Sequence, residues 1–219
     1  MKQRRYLVIG LGNFGSVVAS ELVSHECNVT AIDTSEARLE DLPKHAHLDA
    51  IVADATDRAL LERLQVDQYD AVVVSTGENW QSSILIAMHL KELGARKIMV
   101  KANTHDHARI LKMVGATETV IPEQQMAAKL ARSVAHPNLV DFLPLSHDFV
   151  VAELSAPDAF LGQTLSELKL RSRYNVFVLA VKKSTTGELD LVPGGDYVVR
   201  RDDLLVIVGR TQDIDKLRK

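Results

Sequence analysis

Apolar runs and helical spacings alternate along the first half of the chain. The segments RRYLVIG (4–10), NVTAID (28–33), LDAIVAD (48–54), DAVVVST (70–76), RKIMVKA (96–102) and TETVI (117–121) read as six strands. Between them, Phe14–Ser24, SEARLEDL (35–42), ATDRALLERL (55–64), Asn79–Leu93 and HDHARILKMV (105–114) carry apolar residues at helical spacing. Thr34 or Ser35 and Thr56 or Asp57 are the candidate caps for the second and third helices. Gly94 and Gly115 stand where the fourth and fifth should stop. Strands alternating with helices predict right-handed βαβ units, hence a parallel sheet covered on both faces. DAVVVST is almost wholly apolar, as a strand buried on both faces must be.

After Pro122 the rhythm changes. Glu123 to Ala135 reads as one helix and HPNLVDFLPLS (136–146) as a connector. Then FVVAELSA (149–156), YNVFVLAVK (174–182), a short run in GELDLVPG (187–194) and DDLLVIVG (202–209) read as strands. TLSELKL (164–170) and TQDIDKLRK (211–219) read as helices. The expected fold is a Rossmann-type doubly wound α/β domain over 1–122. A crossover helix and linker follow over 123–145, then a small α+β domain over 146–219.

The first strand runs into VIGLGNFG, with Gly10, Gly12 and Gly15 spaced G-x-G-x-x-G. Gly10 suits the tight turn, Gly12 lets a phosphate approach the backbone, and Gly15 lets the helix pack on the sheet. The helix start then offers free N–H groups and partial positive charge to phosphates. Asp33 ends the second strand, where a carboxylate accepts hydrogen bonds from ribose hydroxyls and repels a 2′-phosphate. The loops Asp54-Ala55-Thr56 and Ser75-Thr76-Gly77-Glu78-Asn79 fall at the same sheet edge. Thr56 and Asn79 read equally well as ordinary helix caps.

Charge and residue inventory narrow the function. Lys and Arg number 26 against 29 Asp and Glu, and no basic patch stands out, which argues against nucleic acid as partner. The lone Cys27 cannot form an internal disulfide, and no apolar stretch of membrane-spanning length occurs, so a cytosolic protein is expected. Tyr6, Tyr69, Tyr174 and Tyr197 are followed four residues on by Gly10, Val73, Val178 and Arg201, which excludes a Tyr-x-x-x-Lys dehydrogenase. The tail holds one histidine, His147, and no acid–base pair. His105 and His107 diverge on a helix, so a solvated helix start is expected of them. No enzyme is therefore expected.

The set VIGLGNFG, Asp33, VADAT, STGENWQSSILIAMHLKELG, MVKA, KMVGA and VIPEQQMA, with LRSRYNVFVLAVKK and DDLLVIVG in the tail, resembles the RCK (regulator of potassium conductance) family. The likeness is to its KtrA- and TrkA-like subunits of potassium uptake systems. It implies a cytoplasmic nucleotide-sensing subunit at the inner face of the membrane. Dimers would assemble into an octameric ring under a KtrB- or TrkH-like potassium-translocating subunit, with ATP against ADP changing the ring's shape. It also implies Asn13, Phe14, Lys101 and Glu123 as nucleotide-site residues. Glu123 would reach a neighbour's ATP phosphates through Mg²⁺. Asn13 departs from the arginine common at that position, which weakens the case for ATP over ADP. The alternatives are NAD(H) binding by a TrkA-like regulator, or an NAD-dependent oxidoreductase. Arg171, Arg173 and Asn175 lie where relatives bind cyclic di-AMP, and read equally as a solvated loop.

Overall fold

The computed structural model describes residues 4–135, 139–146 and 148–218. The chain divides into two compact units, 1–124 and 125–219. In the first, the strands are β1 (Arg5–Ile9), β2 (Asn28–Asp33), β3 (Leu48–Val52), β4 (Ala71–Val74), β5 (Ile98–Lys101) and β6 (Glu118–Val120). They form one sheet in the order β3-β2-β1-β4-β5-β6, every pair parallel. Helices α1 (Asn13–Ser24), α2 (Glu36–Glu40), α3 (Arg58–Arg63), α4 (Trp80–Glu92) and α5 (His105–Val114) make the crossovers. The strand order reverses between β1 and β4, which opens a crevice at their carboxyl ends.

Two faces of the sheet hold two cores. Leu7, Ile9, Val72 and Val74 pack on one side with Leu90, Ile98 and Leu111. Val8 and Val73 point the other way, into Ala19, Val23, Val29 and Ala31. A strand's period of two sends neighbours to opposite faces, so burial on both demands the uninterrupted apolar runs of β1 and β4.

The helix starts follow side-chain chemistry. Asp57 caps α3 by accepting from Ala59 N, while the Thr56 hydroxyl is taken by Asp54. Ser35 occupies the cap position of α2, but its hydroxyl makes no cap bond; its N–H donates to Asp33 instead. Asn79 and Thr104 cap α4 and α5.

The helix α6 (Pro122–Ala135) runs across the division into the second unit. There β7 (Leu139–Pro144), β8 (Phe149–Ser155), β9 (Phe177–Lys183), β10 (Leu189–Leu191) and β11 (Asp203–Arg210) form an antiparallel sheet ordered β10-β9-β11-β8-β7. Three short helices accompany it: α7 (Leu165–Leu168), α8 (Leu170–Tyr174) and α9 (Thr211–Ile214), the last running into a 3-10 turn over Asp215–Arg218. One sheet face carries Val150, Ala152, Leu154, Leu205 and Ile207 against Phe160, Leu168 and Ile214.

One expectation is corrected. Residues 139–144, read as connector, are an edge strand paired with β8. A proline lacks the N–H a central strand needs, but an edge strand tolerates it. His147 and the HPN segment (136–138) of that connector lie outside the described residues.

Candidate functional site

The carboxyl ends of β1 to β4 meet around a cleft of about 370 Å³. Of the residues expected from sequence, Gly10, Gly12, Asp33, Asp54, Ala55, Thr56, Thr76, Gly77 and Glu78 all line it. Chain segments as far apart as Ile9 and Ile86 are brought together because parallel strands all end at one edge.

The glycine turn is tightly built. Gly10 has φ +85°, and a Cβ there would lie under 3.0 Å from the Ser75 carbonyl oxygen. A Cβ on Gly15 would strike the Gly10 carbonyl oxygen in the same way. Gly12 differs, since nothing lies within 4 Å of the place its Cβ would take. It stands at the start of α1, where no side chain caps the helix and no acidic residue occupies the first turn. The first N–H groups of α1 therefore have no partner from within the helix, and they follow directly on Gly12, which lines the cleft. Asn13 is exposed in that first turn; Phe14 and Gly15 lie behind it, and none of the three lines the cleft.

Asp33 is 5% exposed and pins the adjoining wall. Its Oδ2 accepts from Leu11 N at 2.7 Å and lies 3.3 Å from Arg38; its Oδ1 accepts from Ser35 N at 2.9 Å. Burial pushes this carboxyl up, but those hydrogen bonds and the Arg38 charge together hold it below the usual carboxylate range. It is therefore an anion at neutral pH, and Oδ1 keeps a lone pair for a further donor.

The other loops are self-ordered. Asp54 accepts from both the N–H and the hydroxyl of Thr56, which lowers its pKa. The Thr76 hydroxyl donates to the Asn79 carbonyl at 3.1 Å. The Gly77 carbonyl accepts from Asn103 Nδ2 at 3.2 Å, tying the loop after β4 to the loop after β5. Three carboxylates line the cleft, and Arg38 is its cation among the described residues. An anion in this cleft would have to be held by backbone N–H groups more than by charged side chains.

Lys101 and Glu123 do not line the cleft. They pair with each other, Lys101 Nζ to Glu123 Oε1 at 2.5 Å, and that contact lowers the Glu123 pKa. Among the described residues no three His, Cys, Asp or Glu side chains are grouped to hold a metal. In the second unit, Arg171 lines a separate hollow with Lys169, Phe177 and Pro193. Arg173 does not; it lies over the Tyr174 ring, and Asn175 closes α8 at φ +55°.

Sequence reasoning missed Arg38, which only the fold carries to Asp33; its one signal is its place in the first turns after an acid-ended strand. It also misread His107, which is 4% exposed rather than solvated. Leu111, four residues on and fully buried, marks the face to which His107 belongs.

A doubly wound sheet, a glycine turn opening on an uncapped helix and an ionised acid at the end of β2 define a nucleotide-binding domain of the dinucleotide type. The chain matches the TrkA-N domain over residues 6–122 and the TrkA-C domain over 149–219. It is 34% identical over 217 residues to Ktr system potassium uptake protein C of Bacillus subtilis, covering 99% of this chain and 97% of that protein. It is 32% identical over 216 residues to Ktr system potassium uptake protein A of the same organism, covering 99% and 96%. The structure of the GsuK channel bound to NAD shares the fold at TM-score 0.65 and 17% identity, over 99% of this chain and 39% of that one. The chain belongs to the RCK family, as a KtrA/TrkA-like nucleotide-binding regulatory subunit of potassium transport. Its role is regulatory and not enzymatic. No described helix is long and apolar enough to cross a membrane.

Proposed function

We propose that this chain senses an adenine nucleotide in the cleft and passes its occupancy to a membrane-embedded potassium-translocating subunit. The observation that carries the reading is the convergence of the Gly12 cradle, the uncapped start of α1 and ionised Asp33 on one cleft. Gly12 leaves room where a phosphate needs to approach, and the α1 N–H groups supply its donors. Oδ1 of Asp33 has capacity for a ribose hydroxyl.

NAD(H) is the ligand this arrangement favours. The turn carries uncharged Asn13, and among the described residues the one cation of the lining is Arg38, which pairs with Asp33, so no charge is left to single out a terminal phosphate. A channel with this fold is described as bound to NAD. The second reading, ATP against ADP, draws on the Ktr relatives and on Lys101 and Glu123. In it, Glu123 leaves Lys101 to meet the Mg²⁺ of ATP bound to a neighbouring copy.

The subunit works as a cytoplasmic homo-oligomer, dimers building an octameric ring at the inner face of the membrane. A ligand moves such a ring only if it binds one shape more tightly than the other. A second anionic ligand, cyclic di-AMP, binds the second unit near Arg171, Arg173 and Asn175; what supports this is that Arg171 lines a hollow there.

Thermal melts with NAD⁺, NADH, ADP and ATP, each with and without Mg²⁺, test the reading. A ligand at 100 times its Kd adds about 2.7 kcal/mol. Shifts with the nicotinamides support the first ligand; shifts with ADP and ATP, Mg²⁺ mattering only for ATP, support the second. No shift with any of them overturns the nucleotide reading.

A further inference from the structure

His107 is a buried titratable group that the nucleotide site does not use directly, and its surroundings are unusual for a helix's first turn. Its Nδ1 lies 3.3 Å from Asn103 N, an N–H donor, so Nδ1 must be unprotonated to accept. The ring hydrogen therefore sits on Nε2, which donates to Ser83 Oγ at 3.0 Å. That hydroxyl passes its own hydrogen to the Trp80 carbonyl at 2.7 Å. Every donor and acceptor in the chain is matched only when the imidazole is neutral. The same Asn103 whose backbone meets Nδ1 sends its side-chain amide to the Gly77 carbonyl, in the loop that lines the cleft. One residue thus connects the imidazole to the nucleotide loop.

The groups that meet the ring are uncharged. Ser83 and Trp80 come from α4, and Asn103 from the loop before α5; Thr104 meets only the backbone N–H of His107, as the helix cap. The charged or titratable groups of the surrounding turns, Glu78, His105, Asp106 and Arg109, are all exposed, and Asp106 and Arg109 pair with each other. Among the described residues no charged side chain contacts the ring to compensate an imidazolium, and burial holds His107 below the ordinary imidazole range.

We propose that His107 is a proton-sensitive positioning residue for the nucleotide loop, acting through Asn103 on Gly77. A proton taken from solvent onto Nδ1 turns the acceptor into a donor facing the Asn103 N–H. The contact breaks, the loop after β5 moves off, and the Gly77 carbonyl loses its tie. Nucleotide affinity then falls as the pH drops below the usual histidine range. By linkage, bound nucleotide makes His107 harder to protonate. The proposal rests on the cleft being a nucleotide site.

The protein supplies its own reporter. Trp80 is the only tryptophan and its ring meets His107 edge-on, centroids 5.9 Å apart. An imidazolium quenches a neighbouring indole, so Trp80 emission follows the proton. The experiment is a titration of the full chain from pH 7.5 to 5, reading Trp80 emission, with calorimetric Kd values for NAD⁺ and ADP over the same range. Emission should fall in a single-proton step, and Kd should rise by at most about tenfold per pH unit, the limit for one linked proton. His107→Asn keeps an acceptor for Asn103 N but cannot titrate; both pH responses should vanish with affinity retained at pH 7.5. Asn103→Ala removes only the side-chain link, so Trp80 should still titrate while Kd loses its pH dependence. If wild-type emission does not titrate, or titrates unchanged in His107→Asn, the proton step is overturned. If it titrates but Kd stays level with pH, or Asn103→Ala keeps the full Kd response, the coupling is overturned. If neither nucleotide binds at any pH, the nucleotide reading and the coupling fall together, and the emission titration reports separately on the proton.

Discussion

Replacing Gly12 with Ala separates binding from folding at one atom. The backbone there has φ −66° and ψ −173°, a conformation alanine adopts without strain. No protein atom lies within 4 Å of the added methyl. Alanine is a poorer helix cap than glycine, yet it restricts the unfolded chain; these effects oppose each other at about 0.5–1 kcal/mol each. The free protein should therefore melt within about 4 °C of wild type, since 1 kcal/mol is worth roughly 2–4 °C in a chain of this size. Binding should behave otherwise, because the methyl occupies the space a phosphate needs. At a ligand concentration 100 times the wild-type Kd, stabilisation is about 2.7 kcal/mol; a tenfold weaker variant keeps about 1.4 and a hundredfold weaker one about 0.4. The assay is a calorimetric melt with and without ligand, read on the transition of the first unit. Gly10→Ala is the contrast. Its φ of +85° and the Ser75 carbonyl in its path should destabilise even the free protein, by about 2–4 kcal/mol from left-handed strain plus overpacking. A Gly12→Ala protein that keeps the full ligand shift refutes the phosphate position. One that melts as early as Gly10→Ala refutes the claim that Gly12 faces open space.

Asp33→Asn should lower stability at pH 7, because an amide nitrogen must then face one of the N–H groups of Leu11 or Ser35; the loss is about 1.5–3 kcal/mol. Asp33 has a lowered pKa in the fold, so its contribution is present above the ordinary carboxylate range and lost as pH falls through the folded value. The gap between variant and wild type in denaturant melts should accordingly close towards acid pH; a gap independent of pH would sink the assignment. Asn13→Arg should raise the affinity ratio of ATP to ADP in calorimetry, since charge-assisted contacts are about twice as strong as neutral ones, and an unchanged ratio means that this position does not meet the terminal phosphate. Glu123→Gln should abolish any Mg²⁺-dependent tightening of ATP while leaving NAD⁺ affinity alone; unaltered Mg²⁺ dependence removes Glu123 from the site.

Much of this protein is written locally. The near-continuous apolar runs and the helices between them specify the six-stranded parallel sheet, because burial on both faces leaves such strands no other composition. VIGLGNFG names its own turn, since φ +85° at Gly10 excludes most side chains there. Asp33 is legible as the last residue of a strand whose neighbour carries that turn. Elsewhere local spacing misleads. The proline at 144 argues against a strand until the sheet order shows β7 at an edge. A histidine in a helix's first turn reads as solvated until α4 is packed over it. Arg38 becomes part of the cleft only because α2 folds back on β2. Lys101 and Glu123, 22 residues apart, become an ion pair in the folded first unit. Sequence alone determined most of the elements, β7 excepted, and the chemistry each could offer, for those depend on neighbours along the chain. Which groups meet, and with what charge and burial, was decided by the tertiary structure, because distances and desolvation are set by packing between segments that are remote in sequence.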